Sequence, residues 1–288
     1  MSPPSEILTC CAPAKLNLFL LVTGRRPDGY HTLQTLFRFI DCADELTFAL
    51  RGDGRITRAA EVPGVPESSD LTLRAARLLQ TEAGCALGVN IRLLKRLPVG
   101  GGLGGGSSDA ATTLLALNRL WGLRLPRARL QELALKLGAD VPVFVFGRNA
   151  LAEGIGEQLQ AVDLPPAWYL VLIPPVVVST ADVFADPELT RPTAPVTIRA
   201  FSEGCDPSRL SGRNDLEARV CRRYPEVALH LGWLRRFGPA ALTGSGACVY
   251  CRFDSEALAR SALAQLPADM AGFVAEGLAH HPLLNWSD

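Results

Sequence analysis

The stretch Leu97-Pro98-Val99-Gly100-Gly101-Gly102-Leu103-Gly104-Gly105-Gly106-Ser107-Ser108-Asp109-Ala110-Ala111 carries the clearest chemistry in the sequence. Six of the seven positions from Gly100 to Gly106 are glycine. Glycine accepts positive φ and lets backbone approach a ligand closely. The run feeds directly into an alanine- and leucine-rich segment, with Asp109 expected to cap the helix that starts there. Free amides at a helix N-terminus, together with the helix dipole, attract anions. A triphosphate fits such a cradle, whereas a flexible linker would not run straight into a helix. Two other phosphate motifs fail on detail. The P-loop pattern needs a lysine where this chain has Ser107 or Ser108. Gly100 to Gly105 satisfies G-x-G-x-x-G, but a dinucleotide unit also needs an acidic residue about twenty positions on, where Leu120 and Trp121 stand inside a helix.

The elements that must hold this loop are legible on either side of it. Residues 90–95 read as a strand leading in, and 107–121 as a helix leading out. Residues 14–22 and 45–50 read as strands. Residues 70–83 read as a helix with Asp70 at its N-cap, an apolar stripe of Leu71, Ala75, Leu78 and Leu79, and Gly84 beyond its end. Residues 127–137 form another, with Leu130, Leu133, Ala134 and Leu137 on one face. Past a strand at 168–173, a proline-rich loop is expected from Pro187 to about Pro207. From Asn214 the order is a helix, a second helix (225–237), a strand (240–243), a tight turn, a strand (247–253), a helix (255–266) and a strand (272–276). With the strand at 168 this approaches a split β-α-β arrangement. The expectation is an α+β protein of two lobes, residues 1–160 and 161–288, with the site in the cleft between them.

Bulk composition excludes other classes. Apolar residues make up 48% of the 288, enough for a full core. Lysine and arginine (29) balance aspartate and glutamate (29), so the basic field of a nucleic-acid binder is missing. No uninterrupted apolar run is long enough to span a bilayer, since Pro174 and Pro175 break the best candidate. No targeting segment is visible. The eight cysteines form no spaced framework. Cys248 and Cys251 make the one C-x-x-C, in a segment that reads as a buried strand. Reduced thiols in the cytoplasm are expected. Neither nucleic acid nor membrane is an expected partner, and the chain should be a monomer or weak homodimer.

The glycine loop resembles that of the GHMP kinases, a family named for galactokinase and the homoserine, mevalonate and phosphomevalonate kinases. Two further family motifs appear in order. Ala12-Pro13-Ala14-Lys15-Leu16-Asn17-Leu18 matches the N-terminal one, and Leu242-Thr243-Gly244-Ser245-Gly246-Ala247-Cys248 the glycine turn that closes over the phosphates. Arg26-Pro27-Asp28-Gly29-Tyr30-His31-Thr32-Leu33, Leu137-Gly138-Ala139-Asp140-Val141-Pro142-Val143-Phe144, Ala152-Glu153-Gly154-Ile155-Gly156-Glu157 and Asn214-Asp215-Leu216-Glu217 narrow the match. They are similar to the branch that phosphorylates a cytidine-diphosphate-linked sugar alcohol in isoprenoid precursor synthesis. The resemblance runs from about residue 12 to 276.

That resemblance implies ATP, carried with Mg²⁺, as co-substrate. It implies Asp140 as the base that takes the acceptor's proton and Lys15 as its cationic partner, a role the chemistry of phosphoryl transfer supports. It places Pro98, Val99, Gly100, Gly101, Gly102, Leu103, Gly104, Gly105, Gly106, Ser107, Ser108, Asp70 and Lys95 on ATP. Asn17, Tyr30, His31, Phe37, Ile155, Thr180 and Phe184 fall to the cytidine substrate, with Gly244, Ser245 and Gly246 as the closing turn. Asp70 stands where the family usually has asparagine. An ionised carboxylate accepts but cannot donate, so adenine recognition is expected to lean on the base's amino group or on backbone. Asp109 is expected to point away from the phosphates or toward a magnesium-bound water. No dedicated carboxylate cluster appears, and no metal ligand is assigned.

Overall fold

A computed structural model describes residues 6–189, 193–195 and 212–286. Two long antiparallel strands, β1 (Ile7–Arg25) and β2 (His31–Arg51), pair from Ile7 opposite Ala49 to Arg25 opposite His31. The expected strands at 14–22 and 45–50 are inner parts of these. Buried polar residues such as Thr35, Arg38 and Asp44 interrupt the apolar pattern of β2 and hide its length. The other edge of β2 takes β4 (Gly88–Leu94) at one end and β5 (Ala150–Glu153) at the other. Short strands β3 (Ile56–Arg58) and β6 (Gln158–Ala161) extend from those two.

Helices cover this sheet. In α1 (Leu71–Ala83), Asp70 accepts a bond from the Thr72 amide and Gly84 closes the end at φ 58°. The glycine loop feeds α2 (Gly105–Leu120), whose cap is Gly104 at φ 73°. Asp109 is therefore not the cap. It is the fifth residue of α2 and is buried, because the left-handed backbone of Gly104 turns the chain into the helix without side-chain help. Next come α3 (Arg127–Leu135) and α4 (Val141–Phe146). Leu114, Leu117, Leu130, Leu133, Phe144 and Phe48 join them in one core.

The second sheet contains β7 (Trp168–Leu172), β8 (Ala240–Leu242), β9 (Val249–Phe253) and β10 (Gly272–Glu276), in the order β10-β7-β9-β8 with every neighbour antiparallel. Helices α5 (Thr180–Ala185), α6 (Glu217–Arg223) and α7 (Pro225–Leu234) lie between β7 and β8 in sequence, and α8 (Glu256–Leu263) between β9 and β10. This is the split β-α-β, ferredoxin-like lobe. Cys248 and Cys251 are buried in it, where burial pushes their thiols up to about 12 and about 11. Most of the expected proline-rich loop lies outside the described residues, as does Cys205. No helix among the described residues is long and apolar enough to cross a membrane.

Several connections cross between the lobes, two of them made by the backbone as follows. Past its bulge β1 stays opposite β2 and also pairs with the segment before α6: Leu20 N donates to Arg213 O and Asp215 N to Leu20 O, each at 2.9 Å. After β10 the chain returns to the first lobe, where Leu278 N donates to Phe39 O at 2.8 Å and Leu283 enters the first core.

His281, in that returning segment, is fully buried against Phe39, and its Nδ1 accepts the Leu283 amide at 3.1 Å. Burial, with Arg127 nearby, pushes its imidazole down to about 3. The folded state thus holds it neutral while the unfolded chain protonates it near 6.5. Its stabilising effect is complete above that value and is lost as pH falls toward 3. From pH 7 to pH 5 the loss is about 2 kcal/mol. His281→Asn keeps an acceptor for Leu283 and should show a correspondingly flatter dependence of urea-unfolding free energy on pH.

Candidate active site

Lys15 lies on β1 and is almost fully buried, at 1% exposure. Three acceptors surround its ammonium: Asn17 Oδ1 at 2.5 Å, Gly102 O at 3.0 Å and Asp140 Oδ2 at 3.2 Å. Strand alternation puts Lys15 and Asn17 on one face. Asn17 is fixed in turn, its Nδ2 donating to Thr35 Oγ1 at 2.8 Å and its backbone amide to Thr243 Oγ1 at 3.0 Å. Asp140 precedes α4, makes no capping bond, and keeps 38% of its side chain exposed. Its carboxylate therefore faces the cleft with Lys15 on one side and solvent on the other.

The glycine loop is stitched to both neighbours. Lys15 N donates to Leu103 O at 2.9 Å, and Cys248 N to Gly101 O at 3.1 Å. Gly100, Gly102 and Gly104 take φ of 72°, 75° and 73°. At Gly102 a Cβ would meet Thr243 O at 2.2 Å, so only glycine lets the loop lie against the Thr243–Ala247 turn. Asn214 holds that turn by donating to Leu242 O and Gly244 O at 2.9 and 2.8 Å. Thr180 Oγ1 and Ser245 Oγ are 2.6 Å apart, which joins α5 to the same turn.

Together these elements enclose a cleft of about 490 Å³. Its wall includes Lys15, Asp140, Pro98 through Ser107, Asp70, Lys95 and Gly244–Gly246, together with Asn17, Phe37, Ile155, Thr180 and Phe184. Ser108, Tyr30 and His31 do not line it. Ser108 is buried in α2. Tyr30 is 62% exposed at the turn between β1 and β2. His31 stacks on Phe184 with ring centroids 5.2 Å apart, so it reaches the cleft through that ring.

Two of the expected nucleotide residues are engaged with protein groups. Asp70 Oδ1 accepts from Thr72 N and Oγ1 at 2.9 and 2.6 Å, and its Oδ2 from Arg58 at 3.3 Å. Lys95 Nζ lies 2.5 Å from Asp44 Oδ2 and 2.7 Å from Asp109 Oδ2. Asp109 thus points at Lys95. Burial pushes the Asp109 carboxyl up to about 7 despite the ammonium beside it, and the Asp44 charge adds to the rise. One lysine between two buried carboxylates neutralises only one of them. Thr35, Arg58 and Asp44 shape the site yet belong to none of the expected sets, and Thr243 shapes it from within the third motif without an expected role. A polar residue inside a strand carries no motif. The one sequence signal for Asp44 is a lysine placed just before the loop that needs a partner.

Comparison with known proteins agrees with this geometry. Residues 70–148 match the family model for the GHMP kinases N terminal domain, and 198–272 that for GHMP kinases C terminal. A 4-diphosphocytidyl-2-C-methyl-D-erythritol kinase from Nitrosospira multiformis is 61% identical over 284 residues, covering 98% of this chain and 95% of that protein. One from Thiobacillus denitrificans is 62% identical over 275 residues, covering 96% and 97%. A crystal structure of 4-(cytidine 5'-diphospho)-2C-methyl-D-erythritol kinase superimposes with a TM-score of 0.78 at 37% identity, covering 94% of this chain and 99% of that one. The arrangement of loop, lysine and aspartate and these full-length matches lead to one assignment: the chain belongs to the GHMP kinase family, in the branch of the 4-diphosphocytidyl-2-C-methyl-D-erythritol kinases.

Proposed function

We propose that this chain transfers the γ-phosphoryl group of ATP to the 2-hydroxyl of 4-diphosphocytidyl-2-C-methyl-D-erythritol, a step in the non-mevalonate route to isoprenoid precursors. The observation that carries the reading is the Lys15–Asp140 pair, 3.2 Å apart, with the lysine also bonded to Gly102 of the glycine loop. Loop amides and the α2 N-terminus hold the polyphosphate. Asp140 orients the acceptor hydroxyl and takes its proton. Lys15 pairs with Asp140 and steadies the charge on the phosphoryl group in flight.

Mg²⁺ would enter with ATP, held mostly by phosphate and water oxygens, and would neutralise charge on the β- and γ-phosphates. Of this chain's own groups, the Ser107 hydroxyl lines the cleft and would help to hold it there. We assign the cytosine to the Phe184–His31 stack and the Tyr30 turn, and the rest of the acceptor to Asn17, Phe37, Ile155 and Thr180. The seven described cysteines are free, in keeping with the cytoplasm, where we expect the enzyme to act as a monomer or weak homodimer.

ADP release should depend on the cytidine substrate. Release without any acceptor, or equal turnover of mevalonate or homoserine, would overturn the reading. Base–aromatic stacking is worth about 1–3 kcal/mol, so Phe184→Ala should raise KM for the cytidine substrate by about tenfold or more while leaving KM for ATP unchanged. Equal rises for both substrates would mean a fold defect instead.

A further inference from the structure

Asp44 is the one fully buried aspartate on β2 among the described residues, at 0% exposure. It accepts three bonds, all from the residues that lead into the glycine loop. Lys95 Nζ reaches its Oδ2 at 2.5 Å, and the amides of Arg96 and Leu97 reach its Oδ1 at 2.6 and 2.8 Å. Lys95 then extends to the far side of the loop, where it meets Asp109 on α2 at 2.7 Å. Its ammonium lies against the start of that helix, 3.0 Å from where a Cβ on Gly105 would stand. The loop is therefore pinned where it begins, at 95–97, and where it ends, at 109, by one side chain of the central strand.

We propose that Asp44 is a positioning residue for phosphoryl transfer: through Lys95 and Asp109 it fixes the two ends of the glycine loop and so preorganises the polyphosphate cradle. The inference rests on the loop being that cradle, as argued above. A segment with six glycines loses more backbone entropy on ordering than one of ordinary composition, and ordering it before the ligand arrives raises affinity for ATP. Lys95 acts in this arrangement as a strut between two carboxylates, and its effect on ATP passes through the loop.

Hydrogen–deuterium exchange and steady-state kinetics on Asp44→Asn test it. The variant keeps the shape of the side chain but loses the charge, and its amide nitrogen cannot accept. The loss of hydrogen bonds to a charged group should speed exchange of the amides at 99–104 by about tenfold or more, with a comparable rise in KM for ATP. Exchange in β7 and β9 and KM for the cytidine substrate should stay at wild-type values. Unchanged loop exchange and unchanged KM for ATP in the folded variant would overturn the proposal. So would equal rises for both substrates, which mark a general loosening. If Lys95 were an independent phosphate ligand, freeing it from Asp44 would tighten ATP, and that result also counts against the proposal. Should Asp44→Asn fail to fold, Lys95→Gln carries the test through exchange without nucleotide, where a direct ligand would leave no mark: faster exchange at 99–104 is expected, and unchanged exchange there would overturn the proposal. ATP added to the wild-type enzyme separates the two readings. Failure to protect residues 99–104 would sink the cradle itself, whereas protection there with a silent Asp44→Asn would sink only the strut.

Discussion

Asp140→Asn is expected to lower kcat by roughly 10²–10⁴, the usual worth of a positioned base, with KM for ATP nearly unchanged. The asparagine keeps an oxygen toward Lys15, so the local geometry survives. What disappears is the capacity to take the proton of the acceptor hydroxyl. Some stability should be lost as well, because, although the Asp140 side chain is 38% exposed and caps nothing, the buried Lys15 ammonium loses the carboxylate beside it. A melting curve therefore separates loss of chemistry from loss of fold. Wild-type turnover in a folded Asp140→Asn enzyme would remove this residue from the mechanism.

Gly102→Ala should be strongly damaging to catalysis. The residue sits at φ 75°, and its new methyl would lie 2.2 Å from Thr243 O and 3.0 Å from Gly246 O. Both contacts are to backbone, so the loop or the turn must move. Displacement of about 1 Å near reacting groups costs on the order of 10²-fold in rate, and kcat/KM should fall by at least that much. Gly122→Ala is the control. It has a similar φ of 65° and nothing within 4 Å of its added carbon. It should show the cost of a positive φ, roughly 1 kcal/mol of stability, and no kinetic change. Equal kinetic effects in the two variants would show that crowding against Thr243 is irrelevant.

Glycine-rich turns and short apolar strands were the legible parts of this molecule. The loop announced itself because positive φ at Gly100, Gly102 and Gly104 demands the residue that the sequence repeats. The ferredoxin-like lobe was legible because its strands are apolar runs set off by cap residues, Ser255 for example accepting the Leu258 amide at the start of α8. The full length of β2 was not, since its buried polar residues find partners far off in sequence. Asp44 and Lys95 are 51 positions apart, and nothing local signals that they meet. Asp109 misleads for the opposite reason: a capping residue type stands near a helix start where glycine already makes the turn. The return of 277–286 to the first lobe is likewise a matter of tertiary contact, with Arg119 stacked over Trp286 at 4.8 Å.

The strand that carries Lys15 pairs along its length with β2, yet the residue two places beyond that lysine also takes bonds from far along the sequence. Thr243 Oγ1 accepts the Asn17 amide across 226 positions, and the Tyr250 hydroxyl reaches Asn17 O across 233. Contacts of such separation form late, because the entropy of closing the intervening loop must be met first. The wall around the reactive lysine is thus among the last parts of the fold to assemble.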